Sequence, residues 1–231
     1  MPRPEPDGGR SPPRLRAALP IAALCCWLAL PQAAPAAVLI EAQKAGQPVR
    51  LVVDRGRQRV LLRSGQTETL VDLAAGLIYL RAGQGAPARA HAYFRPGYQP
   101  PAPYRAELFG PGPMVAGNVS TYYVLYDQER VCAEAMLSGW MRPFVDPAVR
   151  ALALLEQLGG PPGEDACAAI PFTTYAAAGW PLMSGKADHP TFVTGTIRFD
   201  YEPAPGELAP PPAFREVTIE DLAPLVGLPP S

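Results

Sequence analysis

Chemistry in a chain such as this would have to come from very few side chains. The chain carries two histidines, His91 and His189. His91 stands in a Pro- and Gly-rich stretch, and His189 stands in the turn-like "KADHPT". A hydrolase needs a nucleophile, a base and a group that orients the base. Neither histidine sits in a local pattern that supplies the other two, and no G-x-S-x-G, H-E-x-x-H or G-x-x-x-x-G-K-[ST] occurs. The adjacent carboxylate pairs Glu164–Asp165 and Glu220–Asp221 fall in an expected loop and at an expected helix start. Solvation or the helix dipole accounts for acids there. Acids, histidines and cysteines nowhere cluster as a metal needs, so no cofactor, metal or catalytic residue is expected.

Cysteines are more informative. Cys25 and Cys26 lie in the apolar run Ala17–Leu30, which follows a basic start containing Arg3, Arg10, Arg14 and Arg16. The small residues of "PQAAPAAV" come next, so residues 1–36 read as a signal peptide cleaved before Ala37. A helix of that run would reach roughly 21 Å, against about 30 Å of hydrocarbon, which disfavours a membrane span in the mature form. A retained anchor, or a lipoprotein modified at Cys25 or Cys26, is the alternative. Leu24 before Cys25 is a poor fit to lipid processing. The expected location is periplasmic or secreted, and Cys132 and Cys167 are then the cysteines left to form one disulfide, with two buried thiols as the other possibility.

Beyond residue 36 there remain 16 basic and 19 acidic side chains, a formal charge of −3. That excludes the basic density nucleic-acid binding requires. The whole chain is 48% hydrophobic and 18% charged, a globular composition, and its 31 prolines and 21 glycines argue for turns rather than a helical bundle.

Short apolar runs separated by polar breaks fill Ala37–Arg81. "VLIEAQK", "PVRLVVD", "RVLLR", "TLVDL" and "GLIYLR" read as strands, with "RGRQ" and "SGQTE" as hairpin turns. Connections this short join only antiparallel neighbours, so a meander is expected. Adjacent apolar pairs such as Leu61–Leu62 and Leu77–Ile78 place greasy side chains on both faces, so something must cover each face or bind there.

Residues 83–113 hold seven prolines and are expected to be a long loop, with one short strand at 90–94. Tyr93, Phe94 and Tyr98 within it would suit a lid, or would simply pack the loop. "VSTYYVLYD" and "RVCAEAMLS" read as two further strands, and Asn118-Val119-Ser120 matches a glycosylation acceptor by composition only.

One helix is expected, capped by Asp146, with Pro147 in its first turn and Gly159–Gly160 at its end. Ala148, Ala151, Leu152, Leu154, Leu155 and Leu158 form its apolar stripe. A short helix at 172–178 and strands at 180–183 and 190–202 follow. The Pro-rich tail at 203–213 should then cross the rim, since proline cannot donate within a central strand. Tyr123, Leu125, Leu152, Leu155, Trp180 and Phe192 are the candidate lining of a groove between sheet and helix. As plain core they would need no further explanation.

The order of elements and several soft motifs also carry a resemblance. These are Val71-Asp72-Leu73…Gly76…Ile78-Tyr79-Leu80, then Gly117…Tyr123-Val124, a Cys-bearing strand, a helix, Gly179-Trp180-Pro181-Leu182 and a Pro-rich tail. Over roughly 37–220 this resembles an uncharacterised bacterial envelope domain family related to the periplasmic lipoprotein-carrier (LolA/LolB-like) superfamily. The resemblance implies an α+β domain: an antiparallel curved sheet, an unclosed β-barrel, with one or two helices over its concave face, binding lipid or acyl chains there. Val119 and Ser120 stand where the family often has a cysteine, and Leu208 and Phe214 stand near its tail aromatics.

The expectation for residues 37–231 is therefore a single non-enzymatic LolA-like domain that binds an apolar ligand, an acyl chain or lipoprotein segment, in a sheet–helix groove. The alternatives are an envelope scaffold or interaction protein with a filled core, and a hydrolase of unfamiliar design. The sequence leaves oligomeric state open.

Overall fold

A computed structural model describes residues 37–93, 104–159, 167, 170–176, 178–186 and 189–225. Six strands follow one another at the start: β1 (Ala37–Lys44), β2 (Gln47–Asp54), β3 (Arg59–Ser64), β4 (Thr67–Asp72), β5 (Leu77–Ala82) and β6 (Ala88–His91). Each pairs antiparallel with the next, as the meander reading requires. The β1–β2 turn shows why: Ala45 and Gly46 both take positive φ, 48° and 76°, the mirror-image turn whose twist matches that of the flanking strands.

A second antiparallel run comprises β7 (Arg105–Pro111), β8 (Thr121–Asp127), β9 (Arg130–Ser138), β10 (Trp180–Lys186) and β11 (His189–Tyr201). β11 lies against β1 and so joins the two runs. With β12 (Arg215–Glu216), which pairs parallel to β6, this gives a 12-stranded sheet in the order β12-β6-β5-β4-β3-β2-β1-β11-β10-β9-β8-β7. The end strands β12 and β7 are not paired with one another, so the sheet is unclosed. Strands dominate, and the helical layer is thinner than the α+β expectation. It consists of α1 (Arg142–Glu156), the five-residue α2 (Phe172–Ala176) and short 3₁₀ segments.

Three local expectations are corrected. The helix begins at Arg142, a turn before Asp146, because Pro143 occupies the first turn where its missing N–H costs nothing; Pro147 then lies inside the helix, buried. Within 83–113 there are two strands, β6 and β7, where a loop with one short strand was expected. The Pro-rich tail does more than cross a rim, as the core shows.

β1 alternates cleanly. Val38 and Ile40 point to one face with Leu51, Val53, Val60, Val71, Ile78 and Leu80, and that face packs on Met141, Val145, Ala148, Ala151 and Leu155 of the helical segment. Ala37 and Leu39 point to the other face with Val52, Leu61, Leu70 and Tyr79, and Leu208 of the tail covers them. The two-sided greasiness of the strands thus has two covers, a helix and a tail.

Cys132 on β9 and Cys167 form a disulfide, with Cα atoms 4.7 Å apart and a sequence separation of 35. Such a bond fits an oxidising, non-cytoplasmic compartment. Among the described residues no helix is long and apolar enough to cross a membrane.

Candidate interaction surface

His91, at the end of β6, and His189, at the start of β11, are both exposed on separate strands. Asp221 accepts hydrogen bonds from the Thr218 N–H (3.2 Å) and Oγ1 (2.9 Å), so it caps a helical turn. Glu164 and Asp165 lie outside the described residues. No three acids, histidines or cysteines among the described residues are placed to hold a metal.

Two carboxylates are held strongly, each for a structural reason. Glu156, at the end of α1, accepts from the Thr173 N–H at 3.1 Å and its Oγ1 at 2.6 Å, tying α2 to α1. Burial pushes its pKa up, and the bonds to Thr173 and the charge of Lys44 only partly offset that.

Glu207 is the tail's anchor. It accepts from Tyr201 Oη at 2.6 Å and lies 3.0 Å from Arg50 and 3.3 Å from Arg63. Burial pushes its pKa up, but the Tyr201 hydroxyl, the Ala204 N–H and the two guanidiniums outweigh burial and hold it below the usual carboxylate range. Arg63 and Arg81 also share Glu68, at 2.6 and 3.0 Å. Arg59, paired with Asp72 at 2.8 Å, donates to the Leu208 carbonyl at 3.2 Å, so Arg50, Arg59 and Arg63 together hold down the tail.

Five of the six candidate groove residues divide between two clusters, and Phe192 reaches them through Phe172. Leu155 and Trp180 lie in the main core with half-buried Leu152 against it, while Leu125 lies in a smaller cluster with Ala135, Leu137 and Tyr175, with Tyr123 at its margin. α2 links them: the Phe172 ring centroid is 4.8 Å from that of Trp180 and 6.0 Å from that of Phe192, and Tyr175 packs in the smaller cluster.

Several described residues between helix and sheet are wholly excluded from water. A void wide enough for an acyl chain would leave its walls accessible to water, whereas Ile78, Met141, Val145, Ala148 and Leu182 have 0% exposure. Two open clefts, about 470 and 410 Å³, lie around Arg63, Glu68 and Arg81 and around Arg50, Tyr201 and Glu207. Of the candidate lid, Tyr93 is exposed and its carbonyl accepts from Gln157 Nε2 at 2.7 Å. Phe94 and Tyr98 lie outside the described residues.

The surface that stands out is one the sequence reading passed over. β7 runs R-A-E-L-F-G-P, and among the described residues it is the last strand of the sheet, paired with β8 alone. All of its residues except half-buried Gly110 are exposed, with Leu108 at 60% and Phe109 at 56%. Met114 and Val119, in the connection to β8, are also exposed apolar residues. Phe109 leans on Tyr122, ring centroids 5.6 Å apart, and Arg105 lies over the Tyr126 ring at 4.2 Å. An edge of this kind offers unpaired N–H and C=O groups beside apolar side chains. One signal could have found it: residues 104–110 are a proline-free interval between Pro103 and Pro111.

The class defined by these features is an open, antiparallel-rich sheet protein with, among its described residues, a buried apolar core, a disulfide and a long exposed edge strand. No family model matches the chain, and no curated protein matches it. Among solved structures it is similar to PNGF-II in its P21 and C2 space groups, at 7% identity and TM-scores of 0.42 and 0.39. The matches cover 83% and 81% of this chain and 33% and 32% of those, so this chain spans about a third of their length.

Proposed function

We propose that the chain is an exported, non-enzymatic interaction protein, periplasmic or secreted, that engages an extended segment of a protein partner along the outer edge of β7. The observation that carries this is the exposure of Leu108 and Phe109 on an end strand whose one neighbour among the described residues is β8. Main-chain pairing would supply affinity, and the alternate side chains would supply selectivity. The LolA/LolB-like resemblance supports a different reading, an apolar guest between α1 and the sheet. Such a guest would have to displace side chains from a cluster in which Met141, Val145, Ala148 and Leu182 are wholly buried. The edge is the better-supported site.

A photo-crosslinking residue placed at Phe109 in the full chain, expressed in its own cell envelope, tests the proposal. Protein adducts are expected there and not from the same residue at Arg57, an exposed turn position remote in the strand order. Equal labelling from both sites, or none from either, would overturn it. Stoichiometric acyl lipid on the purified protein would favour the carrier instead.

A further inference from the structure

We infer that the segment β7 accepts is β7 of a second copy, paired antiparallel about a twofold axis at Ala106; this rests on the reading of β7 as a docking edge. Two antiparallel copies of one strand related by such an axis must be centred on a residue, which then faces its own equivalent. Centring on Arg105 or on Glu107 sets like charges opposite one another, which is destabilising. Centring on Ala106 sets each Arg105 opposite the partner's Glu107, and does so twice. Within one chain these two side chains already share a face, 3.2 Å apart, and both are about half exposed, at 53% and 48%. The R-A-E triplet is therefore self-complementary when reversed.

The bulge in β7 points to the same centre. Leu108 pairs with Tyr123 and Gly110 with Tyr122, leaving Phe109 as the extra residue. Regular pairing is interrupted there, so a register centred on Leu108 would run through the irregularity on both chains. The regular stretch 104–108 is symmetric about Ala106. On its other face, Ala106 and Leu108 share the side of their β8 partners Leu125 and Tyr123, and Tyr104 packs at that cluster. Pairing about Ala106 brings Leu108 opposite the partner's Tyr104. That covers the exposed leucine and runs the small core across the junction.

Disulfide trapping and sedimentation test the register together. Across a twofold at this position the two Ala106 Cα atoms stand about 4.5–5.5 Å apart, within disulfide range. In the full chain, Ala106→Cys is expected to oxidise to a covalent dimer, and Leu108→Cys is not. In sedimentation velocity reaching about 100 µM, Arg105→Glu or Glu107→Arg alone should weaken the wild-type dimer roughly tenfold, and the double exchange should restore it. Trapping through Leu108→Cys but not Ala106→Cys, or single reversals without effect, would overturn the inference. A wild-type protein that stays monomeric yet gives Phe109 adducts to a different protein would overturn the self-pairing and leave the docking edge standing. Monomers with no adducts would sink both.

Discussion

Truncating Leu155 to alanine separates a filled core from a groove. Leu155 projects from α1 into the main buried cluster with 5% exposure. Removing three carbons forfeits about 0.8 kcal/mol each in transfer free energy, or about 2.4 kcal/mol. The unfilled space adds to this, because neighbours on a paired sheet cannot collapse fully into it, and buried Leu→Ala changes accordingly span about 2.7–5 kcal/mol. Alanine's better helix propensity returns only a few tenths of a kcal/mol. The expected loss is therefore about 3–4 kcal/mol, seen as a lower urea midpoint at unchanged slope in the disulfide-intact protein. A leucine lining a water-filled groove would cost less than about 1 kcal/mol, since its side chain would be solvated in both states. A loss that small, with the slope preserved, would refute the filled core and revive the apolar-ligand reading.

Reducing Cys132–Cys167 opens a loop of 35 residues and should cost about 3–4 kcal/mol on the chain-entropy model, measured as the shift in urea midpoint with reductant. Glu207 titrates below its ordinary value of 4.5 when folded, so the stability it contributes is complete above that value and lost as pH falls through the folded one. Glu207→Gln should flatten that acidic limb of stability against pH, and an unchanged limb would count against the tail anchor. Glu156 has the opposite sign: its folded value lies above 4.5, so acidification from neutrality towards 4.5 strengthens the fold, and Glu156→Gln should abolish the gain in the same titration.

The meander was legible because every signal in it is local. "RVLLRSGQTETLVD" carries strand, turn and strand within a few residues of one another, and the observed pairing Arg59–Asp72 through Ser64–Thr67 follows from loop length alone. The adjacent leucines also told correctly that both faces were greasy. They could not tell what covers each face, because covering depends on contacts distant in sequence: Leu208 reaches Leu39, Val52 and Leu61 only after the chain has laid down every strand but one. The helix start slipped by a turn because Asp146-Pro147 and Arg142-Pro143 are both acceptable beginnings, and packing of Met141 and Val145 on the sheet decides between them. Of the groove residues, burial was foreseeable from type, but their division between two clusters was not. β7 was hidden by the prolines flanking it.

Those flanking residues also distinguish the two ends of the sheet. β12 contributes two residues, its Glu216 pairs with Arg89, and Arg89 lies over Phe214 at 4.1 Å. A short, charged end strand blunts further pairing. β7 presents seven residues, but Gly110 and Pro111 stop its regular run, the bulge at Phe109 breaks the register, and Arg105 and Glu107 penalise most alignments. Each of these devices limits indiscriminate edge association. A strand meant only to be protected would have no use for Leu108 and Phe109 in the open. Leaving an apolar pair beside a charge pattern that permits few partners is the arrangement of an edge selected for one kind of pairing, and that is why register, rather than simple affinity, is the quantity the substitutions at 105, 106 and 107 interrogate.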